Sequence, residues 1–272
     1  MVRGTIRKIY LFSTVALLLF LVASLFVGTK PVTATRHRPQ NYTDIPVLNY
    51  HKVDTLYHSL SISPEEFEEQ MAYLHENGYH AITPDQLMNY LNRGKPLPDK
   101  PVLITFDDGY LDNYTNAYPI LKKYGFTATI FLVTDLIGND PRFMNWDQVR
   151  EMQKNGFIFG SHTASHAVLT KLPTEEALKE LVSSRQKIAS ELGRAPRYFA
   201  YPTGAYNLAV EELVRTAGYT AAFTIRYGQA GVSSDPYALE RIPIFKSAKT
   251  FRSFLIRLNG APLLERLGII RN

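Results

Sequence analysis

The chain has 272 residues, of which 45% are hydrophobic and 20% charged, so it is neither a disordered nor a fibrous protein. It contains no cysteine, which excludes disulfide bonds, thiolate metal sites and cysteine nucleophiles. The formal net charge of +5 raises the question of nucleic-acid binding, and the answer depends on where the basic residues lie.

An uninterrupted apolar segment follows three basic residues at the N-terminus. Residues Ile9–Val27 contain no charged side chain and would form a helix about 28 Å long, close to the thickness of the bilayer core. This length favours an uncleaved membrane anchor. A cleaved signal peptide is the alternative, because small residues at 32–34 offer a cleavage position. In both cases the basic flank predicts that the rest of the chain is exported, either anchored to the cell membrane or secreted.

Positive charge is concentrated in this leader. Residues 1–34 contain four basic and no acidic residues, so they account for four of the five net charges. The rest of the chain is nearly neutral and does not favour the binding of nucleic acid, because the phosphates require clustered cations. The predicted organisation, for a protein expected to be a monomer, is a leader at 1–30, a linker at 31–44, one globular domain at 45–260 and a tail at 261–272.

Short apolar segments alternate with helical patterns through the exported part. The predicted strands are Ile45–Tyr50, Val102–Phe106, Ala128–Val133, Phe157–Gly160, Tyr198–Tyr201, Ala221–Ile225 and Ile242–Phe245. The predicted helices run from a Ser63 cap to Gly78, from a Thr83 cap to about Asn92, and over Leu111–Tyr124, Trp146–Asn155, Thr174–Leu192 and Asn207–Ala217. This alternation predicts an α/β fold whose roughly seven parallel strands form a barrel or a strongly curved sheet.

Polar residues gather where these strands end, which is where the crevice of such folds lies. Asp107 and Asp108 directly follow one strand, and two adjacent buried carboxylates need a cation or a shared proton; a solvated turn is the alternative. His162 and His166 follow another strand, at the spacing that puts both on one face of a helical turn. Two imidazoles and one carboxylate suit one divalent metal ion, with zinc first and cobalt, nickel or manganese as alternatives.

A third polar segment follows the strand at Tyr198–Tyr201. Here Pro202, Thr203 and Gly204 predict a turn whose backbone N–H groups could meet an anion, although an ordinary loop fits equally well.

The three segments, in this order, resemble the motifs of the polysaccharide deacetylase family, also known as the NodB-homology family or carbohydrate esterase family 4. The matching residues are Thr105-Phe106-Asp107-Asp108-Gly109, Ser161-His162-x-x-x-His166 and Arg197-x-Phe199-x-x-Pro202-x-Gly204. The resemblance implies a distorted (β/α) barrel and a metal-dependent N-deacetylase. It also implies that Asp108, His162 and His166 hold the metal. Asp107 would be the general base, Arg197 would orient that base, and the backbone N–H of Thr203 would help to hold the oxyanion.

Two departures from the family pattern matter. Thr203 stands where an aromatic residue is usual, and no histidine follows His166, although the family takes its general acid from a late histidine. His51 ends an early Leu-Asn-Tyr-His segment instead, which resembles the circularly permuted branch that includes the poly-β-1,6-N-acetylglucosamine deacetylases. This resemblance implies that His51 is the general acid. The further expected substrate contacts are Tyr110, Tyr201, Pro202 and Gly204, and Asp235 and Arg241, near the last strand, are candidates for the network that orients Arg197.

The leading hypothesis is therefore a membrane-tethered, metal-dependent deacetylase of poly-β-1,6-N-acetylglucosamine. Peptidoglycan or chitin-like oligomers are the second choice of substrate. Two other classes remain as alternatives: a glycoside hydrolase that uses Asp107 with another carboxylate, and an inactive carbohydrate-binding protein.

Overall fold

Parallel strands and the helices between them make up the part of the chain that can be described. The computed structural model describes residues 43–56, 59–246 and 250–266, so the predicted leader lies outside the described residues. The strands are β1 (Val47–Tyr50), β2 (Lys52–Val53), β3 (Ser61–Ile62), β4 (His80–Ala81), β5 (Pro101–Phe106), β6 (Thr129–Leu132), β7 (Ile158–Ser161), β8 (Tyr198–Ala200), β9 (Ala221–Tyr227) and β10 (Leu239–Pro243).

The helices are α1 (Pro64–Glu76), α2 (Pro84–Arg93), α3 (Tyr118–Lys123), α4 (Trp146–Lys154), α5 (Thr174–Leu192), α6 (Leu208–Thr216) and α7 (Thr250–Arg266). A π-helix at Asn113–Ala117 leads directly into α3. Within the ranges that the structure describes, no helix is both long and apolar enough to cross a membrane.

The strands close into a barrel. Following the hydrogen bonds, the order is β1, β10, β9, β8, β7, β6 and β5, and β5 pairs again with β1. All of these pairings are parallel. The predicted (β/α) barrel of about seven parallel strands is confirmed. β4 pairs with the first residues of β5 and lies outside the closed ring.

Local sequence explains where several helices begin. Ser63, Thr83 and Asn145 each accept a hydrogen bond from the backbone three residues on, and the side chain at that position returns a bond to the cap. Each of these capping boxes satisfies two backbone donors that would otherwise be unpaired at the start of a helix. The predicted starts of α1, α2 and α4 are therefore confirmed.

Alternation along each strand determines which side chains fill the barrel. Phe131 on β6 and Phe223 on β9 are not on neighbouring strands, yet their ring centroids are 5.4 Å apart, so they meet through the interior. Side chains two residues apart on a strand share a face. Asp107 therefore continues the interior row of Leu103 and Thr105, at the carboxyl end of β5 where the other polar residues collect.

Two predicted elements differ from the structure in type or by more than two residues at one end. The last strand begins at Leu239, three residues before the predicted start. The predicted continuous helix at 111–124 contains the π-helix. α7 is an additional helix that the sequence did not predict.

Candidate active site

Three side chains at the carboxyl ends of β5 and β7 converge on one point. The Nε2 atoms of His162 and His166 lie 3.6 and 3.4 Å from Oδ1 of Asp108, and all three candidate ligand atoms are within 4.8 Å of one another. Two ligands bound about 2.1 Å from one ion at a tetrahedral angle are about 3.4 Å apart. The spacing and the donor types therefore fit a divalent metal ion.

The environment of His162 prepares it for this role. Its Nδ1 lies 2.7 Å from the carbonyl oxygen of Ala200, which can only accept, so Nδ1 carries the proton and the bare Nε2 faces the site. Burial lowers the pKa of His162 to about 4, so the imidazole is neutral at physiological pH, as metal binding requires. The end of β8 thus orients a ligand that follows β7.

A turn, and not the predicted helical face, brings the two histidines together. Thr163 and His166 have φ of 68° and 66°, in the left-handed region that costs a non-glycine residue about 1–3 kcal/mol. Glu180 on α5 stabilises this turn, because its carboxylate accepts from the backbone N–H groups of Ala164 and Ser165, both at 2.9 Å. The ring centroids of the histidine pair are 4.9 Å apart.

Asp107 is held by a buried arginine. The guanidinium of Arg241 on β10 donates to Oδ1 at 2.8 Å and to Oδ2 at 2.7 Å, and Nδ2 of Asn49 on β1 also donates to Oδ2 at 2.9 Å. Arg241 additionally donates through Nε to the carbonyl of Thr224. Both charged groups are almost completely buried, so the ion pair is rigid and shielded from water.

These contacts control the ionisation of Asp107. Burial alone would raise the pKa of its carboxyl, but the opposite charge and hydrogen bonds of Arg241, with contributions from His162 and His51, hold it well below the usual range. A carboxylate offers about four acceptor positions. The described residues use three of them, one on Oδ1 and two on Oδ2, which leaves the second position of Oδ1 for an incoming group.

The prediction that Arg197 orients Asp107 is wrong. Arg197 immediately precedes β8 and donates to Asp85 on α2 at 2.5 Å. The start of a parallel strand lies at the opposite end of the barrel from the carboxyl end of β5, so the side chain cannot reach the site. Arg241 holds Asp107 instead, although the sequence suggested only that it belongs to the network that orients Arg197. Asp235 is 4.0 Å from Arg215 and takes no part in the Asp107 contacts.

The two adjacent carboxylates, Asp107 and Asp108, differ in their partners and in the direction of their pKa shifts. Asp108 has no guanidinium partner among the described residues, and burial together with the nearby charge of Asp107 raises its pKa to about 6, although the charge of His51 opposes the rise. A hydrogen bond with the hydroxyl of Tyr110 stabilises the charged form of Asp108. The ring of Tyr110 stacks on Phe143 with centroids 4.7 Å apart. Asp107 already has its cation, whereas Asp108 and two neutral imidazoles form a site that a metal cation would complete.

His51 lies beside this pair. It follows β1, two residues after Asn49 and on the same face of the strand, and its Nε2 is 3.9 Å from Oδ2 of Asp107. This distance is too long for a hydrogen bond and places the imidazole at the rim of the site. The early histidine and the late arginine meet because β1 lies between β5 and β10.

The turn after β8 supports only part of its prediction. Thr203 is exposed, has φ 58°, and its backbone N–H has no hydrogen-bond acceptor among the described residues, so it is free to donate. The prediction that Tyr201 contacts the substrate is wrong, because its side chain is buried and its hydroxyl donates to the carbonyl of Tyr237. Pro202 is buried as well. Gly204 has a packing role, since a Cβ there would lie 2.3 Å from Cγ1 of Ile225.

The contacts of Asn49 and Glu180 were not predicted from the sequence, and neither was the binding of Asp107 by Arg241. The sequence contains a signal for Asn49 and for Arg241. Asn49 is the polar residue two positions before His51 in an apolar strand, and Arg241 is a charged residue directly before the apolar Ile242. Glu180 lies on a helix with many charged residues and has no comparable signal.

Comparison with known proteins agrees with this geometry. Residues 94–222 match the family described as polysaccharide deacetylase. The chain is 36% identical over 200 residues to YxkH of Bacillus subtilis, whose name carries a polysaccharide deacetylase assignment; the match covers 74% of this chain and 71% of that protein. It is 30% identical over 214 residues to the poly-β-1,6-N-acetyl-D-glucosamine N-deacetylase of Staphylococcus aureus (strain MSSA476), covering 74% of this chain and 72% of the relative.

A solved structure gives the same result. The Streptococcus pyogenes deacetylase PplD, in complex with acetate, is 26% identical with a TM-score of 0.76; the match covers 80% of this chain and 100% of that one. The closed parallel barrel, with an acidic pair and two histidines at its carboxyl end, agrees with this class of hydrolase. The chain belongs to the polysaccharide deacetylase family and is an enzyme that acts on N-acetylated glycans.

Proposed function

We propose that the enzyme removes N-acetyl groups from poly-β-1,6-N-acetylglucosamine and that it requires a divalent metal ion, with zinc as the first choice. The observation that carries the proposal is the convergence of Asp108, His162 and His166 beside the Asp107–Arg241 pair and His51. The named staphylococcal relative supports the choice of polymer. The position of His51 directly after the first strand supports the same branch of the family.

Amide hydrolysis needs an activated water, a stabilised oxyanion and a proton for the departing amine. A divalent ion held by Asp108, His162 and His166 would polarise the acetyl carbonyl and lower the pKa of a bound water toward ~7. Asp107 accepts the proton of the attacking water through the acceptor position left on Oδ1. The N–H of Thr203 donates to the carbonyl oxygen as negative charge develops there.

His51 completes the reaction. As the C–N bond breaks, the imidazole gives a proton to the sugar nitrogen, so the products are acetate and a free amine. Asn49 and Arg241 keep the carboxylate of Asp107 fixed throughout, because both donate to Oδ2, the oxygen that does not take the proton. The proposed base and the proposed acid are neighbours, since Nε2 of His51 lies 3.9 Å from Oδ2 of Asp107.

Acetate release from defined oligomers tests the substrate. We expect β-1,6-linked N-acetylglucosamine oligomers to release acetate faster than β-1,4-linked oligomers or peptidoglycan fragments, with chain length unchanged. A preference for β-1,4-linked chains would assign the enzyme to the alternative substrates. Shortened chains without acetate would support a glycoside hydrolase, and binding without any product would support a carbohydrate-binding protein.

Removal of the metal is expected to abolish this activity. A chelator should bring acetate release to background, because the N–H of Thr203 alone would neither activate the water nor replace a divalent ion at the carbonyl, and added zinc should restore the activity. The metal content of the purified enzyme, measured by atomic absorption, should be about one ion per chain and should fall in His162→Ala. Full activity after complete removal of the metal would contradict the proposal.

The acid role of His51 predicts a selective loss. His51→Ala should keep its metal but release acetate from the glycan about 10²- to 10⁴-fold more slowly, because the amine leaves without a proton donor. His80→Ala is the matched control, since that imidazole lies on the outer strand β4, away from the site, and bonds the carbonyl of Asp99. Loss of metal in His51→Ala, or a rate near that of the parent enzyme, would remove His51 from this role.

We also propose that the enzyme works at the outer face of the cell membrane. The apolar segment Ile9–Val27 with its basic flank supports this location. Protease added to intact cells should then digest the catalytic part, and a tag before Arg3 should stay protected. Digestion only after cell lysis would contradict export.

A further inference from the structure

The backbone of His51 lies between two strands and belongs to the hydrogen-bonded pairing of neither. β1 ends at Tyr50 and β2 begins at Lys52. Within the described ranges, the carbonyl of His51 accepts one hydrogen bond, from Nδ2 of Asn113 at 2.8 Å. Asn113 is almost completely buried, so this contact is formed away from water.

The imidazole itself has little to hold it. Its Nδ1 is buried without a hydrogen-bond partner among the described residues, and its Nε2 is 3.9 Å from Asp107. The direction of the ring therefore depends on the backbone that carries it. A general acid must lie within hydrogen-bond reach of the leaving nitrogen, so a small displacement of this backbone would affect the reaction strongly.

Asn113 begins the π-helix, a rare element that often occurs at functional sites. Its side chain makes only donated hydrogen bonds to described groups: Nδ2 meets the carbonyl of His51 and Oδ1 of Asp112. Two neighbours on the same stretch hold the next part of the segment, since Asp112 accepts from the N–H of Val53 at 2.8 Å and Asn116 donates to the carbonyl of Val53 at 2.7 Å.

The hydrogen bond from Asn113 to His51 also connects the proposed acid with the segment that carries the proposed base, Asp107. Asn113 follows Asp107 and Asp108 by only a few residues, so it is tied to the strand that carries the base and a metal ligand. We propose that Asn113 is a positioning residue that holds His51 in register with Asp107 through the His51 carbonyl. This inference rests on the proposed role of His51 as the general acid.

Two substrates with different leaving groups test it. The amine of a β-1,6-linked N-acetylglucosamine oligomer needs a proton to leave, whereas the phenolate of 4-nitrophenyl acetate leaves without one. Asn113→Ala should lower kcat on the oligomer about 10²-fold, with KM and metal content unchanged, because a misplacement of about 1 Å has this cost. Its chelator-sensitive hydrolysis of the ester should stay within about twofold of the parent enzyme.

Matched variants separate position from general damage. Asn116→Ala removes the same type of bond from the same π-helix, but at Val53, and should keep the parent ratio of amide to ester hydrolysis. Asn113→Asp preserves the volume and removes the donor, so it should show the same selective loss if Asn113→Ala does not fold. A parallel loss on both substrates, a loss of metal, or an unchanged amide rate in Asn113→Ala would overturn the inference.

His51→Ala distinguishes the two levels of the argument. If it shows the selective loss and the Asn113 variants do not, only the positioning role is wrong. If His51→Ala shows no selective loss, the proposed general acid is wrong, and the inference about Asn113 is overturned with it.

Discussion

Replacing Asp107 with asparagine is expected to reduce acetate release from the glycan by about 10²- to 10⁴-fold, the contribution of a positioned general base. The amide has no negative charge to accept a proton from water, although its oxygen can still receive one of the Arg241 bonds. Because Asp108 and the two histidines are unchanged, the variant should still bind one metal ion. The measurements are kcat for acetate release and metal content after gel filtration.

A matched control exists at the other end of the barrel. Asp85 is also a carboxylate bound to an arginine, at 2.5 Å from Arg197, but it is about half exposed and far from the carboxyl ends of the strands. Asp85→Asn should therefore keep kcat close to that of the parent enzyme. Equal losses of acetate release in the two variants, or substantial turnover in Asp107→Asn, would contradict the role of Asp107 as base.

Replacing Arg241 with methionine is expected to have the largest effect on stability. The side chain is completely buried, and its loss leaves the Asp107 carboxylate buried with the Asn49 amide as its remaining hydrogen-bond donor among the described residues. Breaking one side of a buried ion pair costs about 3–5 kcal/mol of unfolding free energy. Acetate release should fall as well, because Asp107 loses both its orientation and its charged form. Urea unfolding at neutral pH, followed by circular dichroism, measures the first effect.

Arg197→Met provides the comparison. Arg197 and Asp85 have side-chain exposures of 57% and 48%, and an exposed ion pair contributes only about 0–1 kcal/mol. The predicted order of stability is therefore the parent enzyme, then Arg197→Met close behind, then Arg241→Met far below. The opposite order would restore Arg197 as the residue that holds the base and would contradict the contacts of Arg241.

The effect of Arg241 should depend on pH in a defined direction. Burial opposes ionisation of Asp107, but Arg241 lowers its folded-state pKa below the ordinary value of 3.8. The stability that this shift provides is present above the ordinary pKa and is lost as the pH falls through the folded-state value. The difference in unfolding free energy between the parent enzyme and Arg241→Met should therefore be largest near neutral pH and should shrink below about pH 4. A difference that grows on acidification would contradict the ion pair.

Much of the barrel could be predicted because its signals are local. Capping residues such as Ser63 and Thr83 determine where helices begin, and apolar segments such as Val102–Phe106 are long enough to mark buried strands. The predicted start of the last strand lies three residues after the observed start, because Glu240 and Arg241 interrupt the apolar pattern of the strand. Their burial depends on distant partners, since Glu240 pairs with Arg226 and Arg241 pairs with Asp107.

The sequence by itself determined the residues that follow strand ends. Asp107, Asp108, His162 and His166 could be grouped without coordinates, because the carboxyl ends of parallel strands meet at one edge. Only the tertiary structure decided which arginine serves the base. Arg197 has the expected motif position but lies at the start of its strand, whereas Arg241 points into the barrel from a strand that becomes a close neighbour through closure by β1. The same closure brings His51 to the site, where Nδ2 of Asn113 donates a hydrogen bond to its carbonyl. These contacts could not be predicted, because spacing along a chain contains no information about which strands will be adjacent in a closed sheet.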